Sequence, residues 1–106
     1  MLVIHTTTPT KKEAKSLLKL LLESHLVACG QYCKITSRYV WKDSKARAKL
    51  CKQNEYLLIL KTLPFYYQHI ESLLLAHHSY EVPEILAFEA KAYKGYDMWL
   101  HESLSS

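Results

Sequence analysis

Glu55-Tyr56-Leu57-Leu58-Ile59-Leu60-Lys61 is the stretch on which the fold turns. An apolar run this short, bounded by charges and lacking alternation, predicts a strand at the centre of a sheet with both faces covered. Just after it, Pro64 suits the first turn of a helix. Tyr66, Ile70, Leu73, Leu74 and His77 then recur at helical spacing. That spacing turns His77 inward near the helix end and places His78 about 100° further round the axis. Before the run, Lys42–Asn54 is polar and reads as a loop, with Lys42, Lys45, Arg47, Lys49 and Lys52 set against Asp43.

Further upstream, Ile35–Trp41 alternates, with Ile35, Ser37, Tyr39 and Trp41 on one side. Leu26–Cys33 reads as strand, with Gly30 as a bulge or bend. Thr10 and Glu13 have the spacing of a capping box. They open a helix whose stripe is Ala14, Leu17, Leu18, Leu21 and Leu22. Leu2–Thr6 is a β-rich run with Leu2 and Ile4 on one face and Val3 and His5 on the other. Downstream, Val82–Ala90 reads as the last strand. Tyr93–Leu104 reads as a C-terminal helix with Tyr96, Trp99, Leu100 and Leu104 in a stripe.

The order is strand, helix, strand, strand, helix, strand, with one helix added. It predicts an α+β fold, a ferredoxin-like split β-α-β sandwich, in a single domain over residues 1–106. Two helices cover one face of such a sheet. One short terminal helix is too small to cover the other, so assembly with further copies is expected.

Composition narrows the functional classes. A net charge of +4 is mild, and no dedicated nucleic-acid surface is expected from it. Three cysteines, Cys29, Cys33 and Cys51, form no C-x-x-C pair and argue for reduced thiols and a cytoplasmic location. Neither a signal peptide nor a membrane span is expected from the sequence. With two glycines, no glycine-rich phosphate loop can be built. No nucleophile–base motif stands out, so no enzyme is expected. Eight tyrosines and two tryptophans are a heavy aromatic load for this length, and some of those rings are expected against a partner subunit.

The chemistry is concentrated at His77-His78-Ser79-Tyr80-Glu81-Val82-Pro83-Glu84-Ile85, a helix-to-strand junction rich in imidazole, phenol and carboxylate. Taken with Leu26-Val27-Ala28-Cys29, Ile35-Thr36-Ser37-Arg38-Tyr39-Val40-Trp41, Leu60-Lys61-Thr62 and Tyr96-Asp97-Met98-Trp99-Leu100, it resembles the CutA family of divalent-cation tolerance proteins. The resemblance runs through nearly the whole chain in order and spacing. It implies a ferredoxin-like fold assembled as a homotrimer, a cytoplasmic setting, and tolerance of copper and other divalent metals without an established reaction. Carried over by position, it implies metal ligands at His5, His77, His78 and Glu84. Trp41-Lys42-Asp43, Gly30–Lys34 and the basic hairpin depart from the family pattern. None of these departures touches the ligand positions.

Imidazole and carboxylate suit borderline divalent ions, with Cu(II) favoured along the first-row series, here as a weak and exchangeable site. A thiol site through Cys29 and Cys33 would instead favour Cu(I). A second class of function is a signalling or scaffold module that binds a small molecule in clefts between subunits. Trp41, Tyr80, Glu81 and Trp99, with Glu84, would line that pocket.

Overall fold

A computed structural model describes residues 1–105. In chain order the elements are β1 (Leu2–Thr8), α1 (Lys11–Glu23), β2 (Cys29–Lys42), β3 (Ala48–Thr62), a 3-10 turn (Pro64–Tyr66), α2 (Tyr67–His77), β4 (Ile85–Glu89) and α3 (Lys94–Leu104). The strands form one antiparallel sheet in the order β2-β3-β1-β4. This is the ferredoxin-like arrangement, and the apolar run of β3 is central as its sequence predicts.

The core lies on one face. Leu2, Ile4, Leu58 and Leu60 of the sheet meet Leu17 and Leu21 of α1 and Ile70 and Leu74 of α2. Register fixes which side chains point the other way. Val3 stands opposite Lys61 and Phe88, and His5 opposite Ile59 and Leu86. These residues belong to the face that neither α1 nor α2 covers. The run Glu55–Lys61 is therefore buried fully on one side only: Leu58 and Leu60 are buried, while Leu57 and Ile59 are half-buried.

Helix α1 is bounded by identifiable caps. Thr10 Oγ1 accepts the Glu13 N–H at 3.2 Å. At the other end Leu26 N–H reaches Leu21 O and His25 N–H reaches Leu22 O, a Schellman closure with His25 at φ 57°. Capping at the N-terminus is one-sided, however. The Glu13 carboxylate leaves its own helix and takes a partner across the molecule.

Four expectations about the strands need correction. Gly30 is not a bulge: it pairs in register with Leu60 inside a continuous β2. A Cβ there would meet the end of the Leu18 side chain of α1, which would have to move aside. The polar segment 42–54 is mostly strand, not loop. Lys42 pairs with Ala48, and only Asp43–Arg47 turns the chain. The two expected strand pieces before it are one strand, which begins at Cys29. Finally, β4 begins at Ile85, so Val82, Pro83 and Glu84 belong to the connecting loop.

The outcome is a β2–β3 ribbon that continues past the ends of β1 and β4. The molecule measures 50 × 25 × 23 Å. At the tip Asp43 Oδ1 accepts the N–H groups of Lys45 and Arg47, each at 2.9 Å, and Oδ2 pairs with Arg47 Nε at 2.9 Å. Ala46 takes φ 59° to close the turn.

Candidate functional site

The loop from His78 to Glu84 leaves α2 on the helical side, passes the C-terminal end of β1 and enters β4 beside Thr6. Side-chain hydrogen bonds fix it at both ends. Glu13 accepts Ser79 N–H at 3.0 Å and Ser79 Oγ–H at 2.9 Å, tying the loop to the start of α1. His78 Nδ1 accepts the Tyr80 N–H at 3.1 Å. Because that nitrogen must carry a lone pair, the neutral ring carries its hydrogen on Nε2, which then donates to Thr6 Oγ1 at 3.2 Å. The His78 and Tyr80 rings stack at 5.2 Å.

Tyr80 carries the loop's contact with the ribbon. Its hydroxyl donates to Glu55 Oε2 at 2.7 Å and accepts from Gln53 Nε2 at 2.8 Å. Glu55 is a buried carboxylate on β3. Burial, followed by the hydrogen bond and negative charge of Glu55, pushes the Tyr80 phenol well above its ordinary value. The phenol is therefore a neutral donor to the carboxylate beside it.

The four expected metal ligands occupy three different environments. His5 is half-buried on the uncovered sheet face, edge-on to Phe88 with ring centroids 5.1 Å apart. Glu84 is exposed in the connecting loop, one residue before β4, whose first residue Ile85 pairs with Thr6. His78 is on the other side of β1, with both ring nitrogens engaged. It could ligate only by releasing Thr6 or the Tyr80 N–H. His77 is exposed, not inward. It borders a cavity of about 300 Å³ with Glu13 and Ser16 of α1. The helix ends at His77 and the backbone turns extended at His78, so the helical angle that separates the two rings no longer applies. Among the described residues, no three His, Cys, Asp or Glu side chains gather into a metal-sized group. One chain thus puts His5 on the uncovered sheet face, Glu84 in the loop before β4, and His78 on the opposite side of β1, without gathering them.

The thiols do not meet either. Cys29, Cys33 and Cys51 are free and share the uncovered face, but they stand opposite Lys61, Leu57 and Tyr39 respectively. Four residues of strand separate the first two by ~13 Å.

The second expected set is also divided within one chain. Trp41 is 59% exposed near the ribbon tip, opposite Lys49. Trp99 stacks on Tyr96 at 5.4 Å, and Tyr96 lies under Lys61 Nζ at 5.5 Å. Lys49 and Lys61 are both on β3, so ~40 Å of strand separates the two tryptophans' surroundings. Tyr80 lies between them and Glu81 is exposed. A pocket using all four needs more than one chain. Glu13, Ser79, Glu55 and Gln53, which hold the loop, are not singled out by the sequence as site residues. Glu13 has the spacing of a local cap, and nothing in the sequence signals a partner 66 residues away.

Comparison with known proteins gives one answer throughout. The family model described as CutA1 divalent ion tolerance protein matches residues 2–103. A probable divalent-cation tolerance protein cutA homolog of Encephalitozoon cuniculi is 34% identical over 92% of this chain and 82% of its own length. The divalent-cation tolerance protein CutA of Thermus thermophilus is 31% identical, covering 95% of each chain. Among solved structures, a point mutant of CutA1 from Pyrococcus horikoshii superposes with a TM-score of 0.90 at 26% identity over all of both chains. CutA of Archaeoglobus fulgidus, described as a periplasmic divalent cation tolerance protein, gives 0.90 at 29% identity over 99% of this chain and all of that one.

Proposed function

Because the chain belongs to the CutA1 divalent ion tolerance family, we propose that it is a homotrimeric divalent-metal-binding protein, with Cu(II) the preferred ion, and not an enzyme. What supports the metal reading is His5 on the sheet face that α1 and α2 leave uncovered, with Glu84 exposed in the loop that leads into β4, the strand beside it. One imidazole and one carboxylate make half a site. Copies meeting on that face would add the remaining donors, which fits a weak, exchangeable site better than a closed structural one. His77 is accessible enough to join from a neighbouring copy. His78 would have to give up its hold on the loop.

The same face supports the trimer. Leu86, Phe88 and Trp41 are exposed apolar groups on it. Free thiols at Cys29, Cys33 and Cys51 fit a reducing, cytoplasmic setting.

Titration calorimetry with Cu(II) on the intact protein tests the site. His5→Ala and Glu84→Ala should each weaken binding at least tenfold, and binding should weaken on acidification, because protons compete with the metal for the imidazole nitrogen. A His77→Ala/His78→Ala double variant with wild-type affinity would remove both from the ligand set. Unchanged affinity in His5→Ala would remove the site itself. The alternative, an organic ligand in a cleft between subunits lined by Trp41, Tyr80, Glu81 and Trp99, predicts thermal stabilisation by that ligand and none by metals.

A further inference from the structure

The mild net charge of +4 conceals a strong asymmetry. Residues 38–52 contain Arg38, Lys42, Lys45, Arg47, Lys49 and Lys52 against Asp43 alone. That is an excess of +5 in the ribbon, so the rest of the chain is close to neutral. Strand geometry sorts these cations further. Lys34, Arg38 and Lys42 alternate onto one face of β2, and Lys52 is directly opposite Arg38. The row Lys34–Arg38–Lys42 has a cation every fourth residue, ~13 Å apart and ~26 Å in total.

Among the described residues no ion pair balances this row. The ion pairs of the described residues are Lys19–Glu23, Arg47–Asp43 and His101–Asp97, and none includes these four cations. Like charges facing each other across a ribbon destabilise it, yet Arg38 and Lys52 do so with both side chains exposed. Between the cations the exposed pair Val40–Leu50 supplies a low apolar ridge. Tyr39 and Trp41 alternate onto the opposite face, the one assigned above to contacts between copies. On the assembly proposed above, on which this inference rests, contacts made by that face leave the row of cations outward.

We propose that this basic face of the β2–β3 ribbon is a docking surface for the phosphodiester backbone of nucleic acid, a function separate from metal binding. A two-stranded ribbon fits a duplex groove, and a linear row of cations equally fits the evenly charged backbone of a single strand. The shared chemistry is phosphate pairing without base readout. A uniform polyanion suits the row better than an acidic protein segment, because the face has no acidic group of its own to define a register of opposite charges.

Fluorescence anisotropy on the full chain tests it, using a labelled single-stranded DNA 30-mer and the corresponding duplex between 50 and 200 mM NaCl. Four phosphate contacts give a log–log salt slope of about −3.6 on the duplex. Arg38→Gln/Lys52→Gln should weaken binding about tenfold or more at 50 mM and flatten the slope by about 1.8. Lys12→Gln/Lys15→Gln on α1 is the control and should change neither. Binding to one probe only would identify the form of nucleic acid recognised. Three results would overturn the proposal: no binding at 50 mM salt, equal loss in the control, or competition by poly-glutamate as effective as by unlabelled DNA. If the first pair of changes alters the sedimentation of the protein, Lys34→Gln/Lys42→Gln replaces it, with the same expected change. Loss of assembly with both pairs would assign the cations to subunit contacts and end the proposal.

Discussion

Tyr80 shows how one side chain can hold a loop against a distant strand. Its hydroxyl gives Glu55 a hydrogen bond that this buried carboxylate would otherwise lack. Tyr80→Phe should therefore cost about 1–3 kcal/mol at pH 7, because it leaves the carboxylate without that donor as well as losing a bond. The pH dependence has a definite sign. The folded phenol is raised above its unfolded value of about 10. The folded state thus holds the proton more tightly, and the stabilisation is complete below pH 10. It is lost as pH rises from there toward the folded value. Urea denaturation of wild type and Tyr80→Phe at pH 8 and near pH 11 should show the gap narrowing at the higher pH. A constant gap would mean that the phenol is not coupled to Glu55.

At the scale of elements, the hairpin tip is organised by one carboxylate. The N–H groups of Arg47 and Lys45, with the Arg47 side chain, hold the Asp43 carboxyl below its usual value of 3.8. A lowered folded value contributes stability above the unfolded one, and that contribution disappears as pH falls through the folded value. In amide NMR spectra, the Lys45 and Arg47 signals should move together with a midpoint below 3.8. Separate midpoints would show that the turn does not form as one unit.

The ribbon behind that turn is also where the sequence is hardest to read. Glu55–Lys61 announces a central strand because packing demands apolar side chains there. Arg38–Asn54 has no such demand: a two-stranded ribbon beyond the sheet is open on both faces, so its alternation carries Lys, Gln and Ser as readily as Val. The rule that polar stretches are loops fails for that reason. Gly30 misleads differently, since it pairs normally within its strand and its close neighbour is the Leu18 side chain of α1. At the site, residue types are legible from the His77–Ile85 composition, but their directions are not. His77 and His78 exchange expected roles because α2 ends between them. Glu13 keeps its expected position and gives its carboxylate to Ser79.

For the whole molecule, shape raises the remaining question. A compact chain of about 100 residues has a radius of gyration of about 13 Å, whereas this one has 15.3 Å. The difference lies in the ribbon, and an isolated two-stranded ribbon is at best marginally stable in water. The exposed Phe88 and Leu86, the half-buried Ile59 and the exposed Trp41 share one sheet face, so covering that face and supporting the ribbon are a single requirement. Self-association in a closed ring meets it for every copy at once. Wild type should accordingly sediment at three times 12.4 kDa. Phe88→Glu, which places a charge on that face without entering the core between the sheet and α1 and α2, should shift the mass toward that of one chain. Because Phe88 is on β4 and the ribbon is β2–β3, faster amide exchange in 38–52 of that variant would trace the ribbon's order to assembly. A variant that becomes monomeric with ribbon exchange unchanged would show the ribbon to be self-supporting, and a wild type that sediments as one chain would remove the homotrimer and with it any site completed between copies.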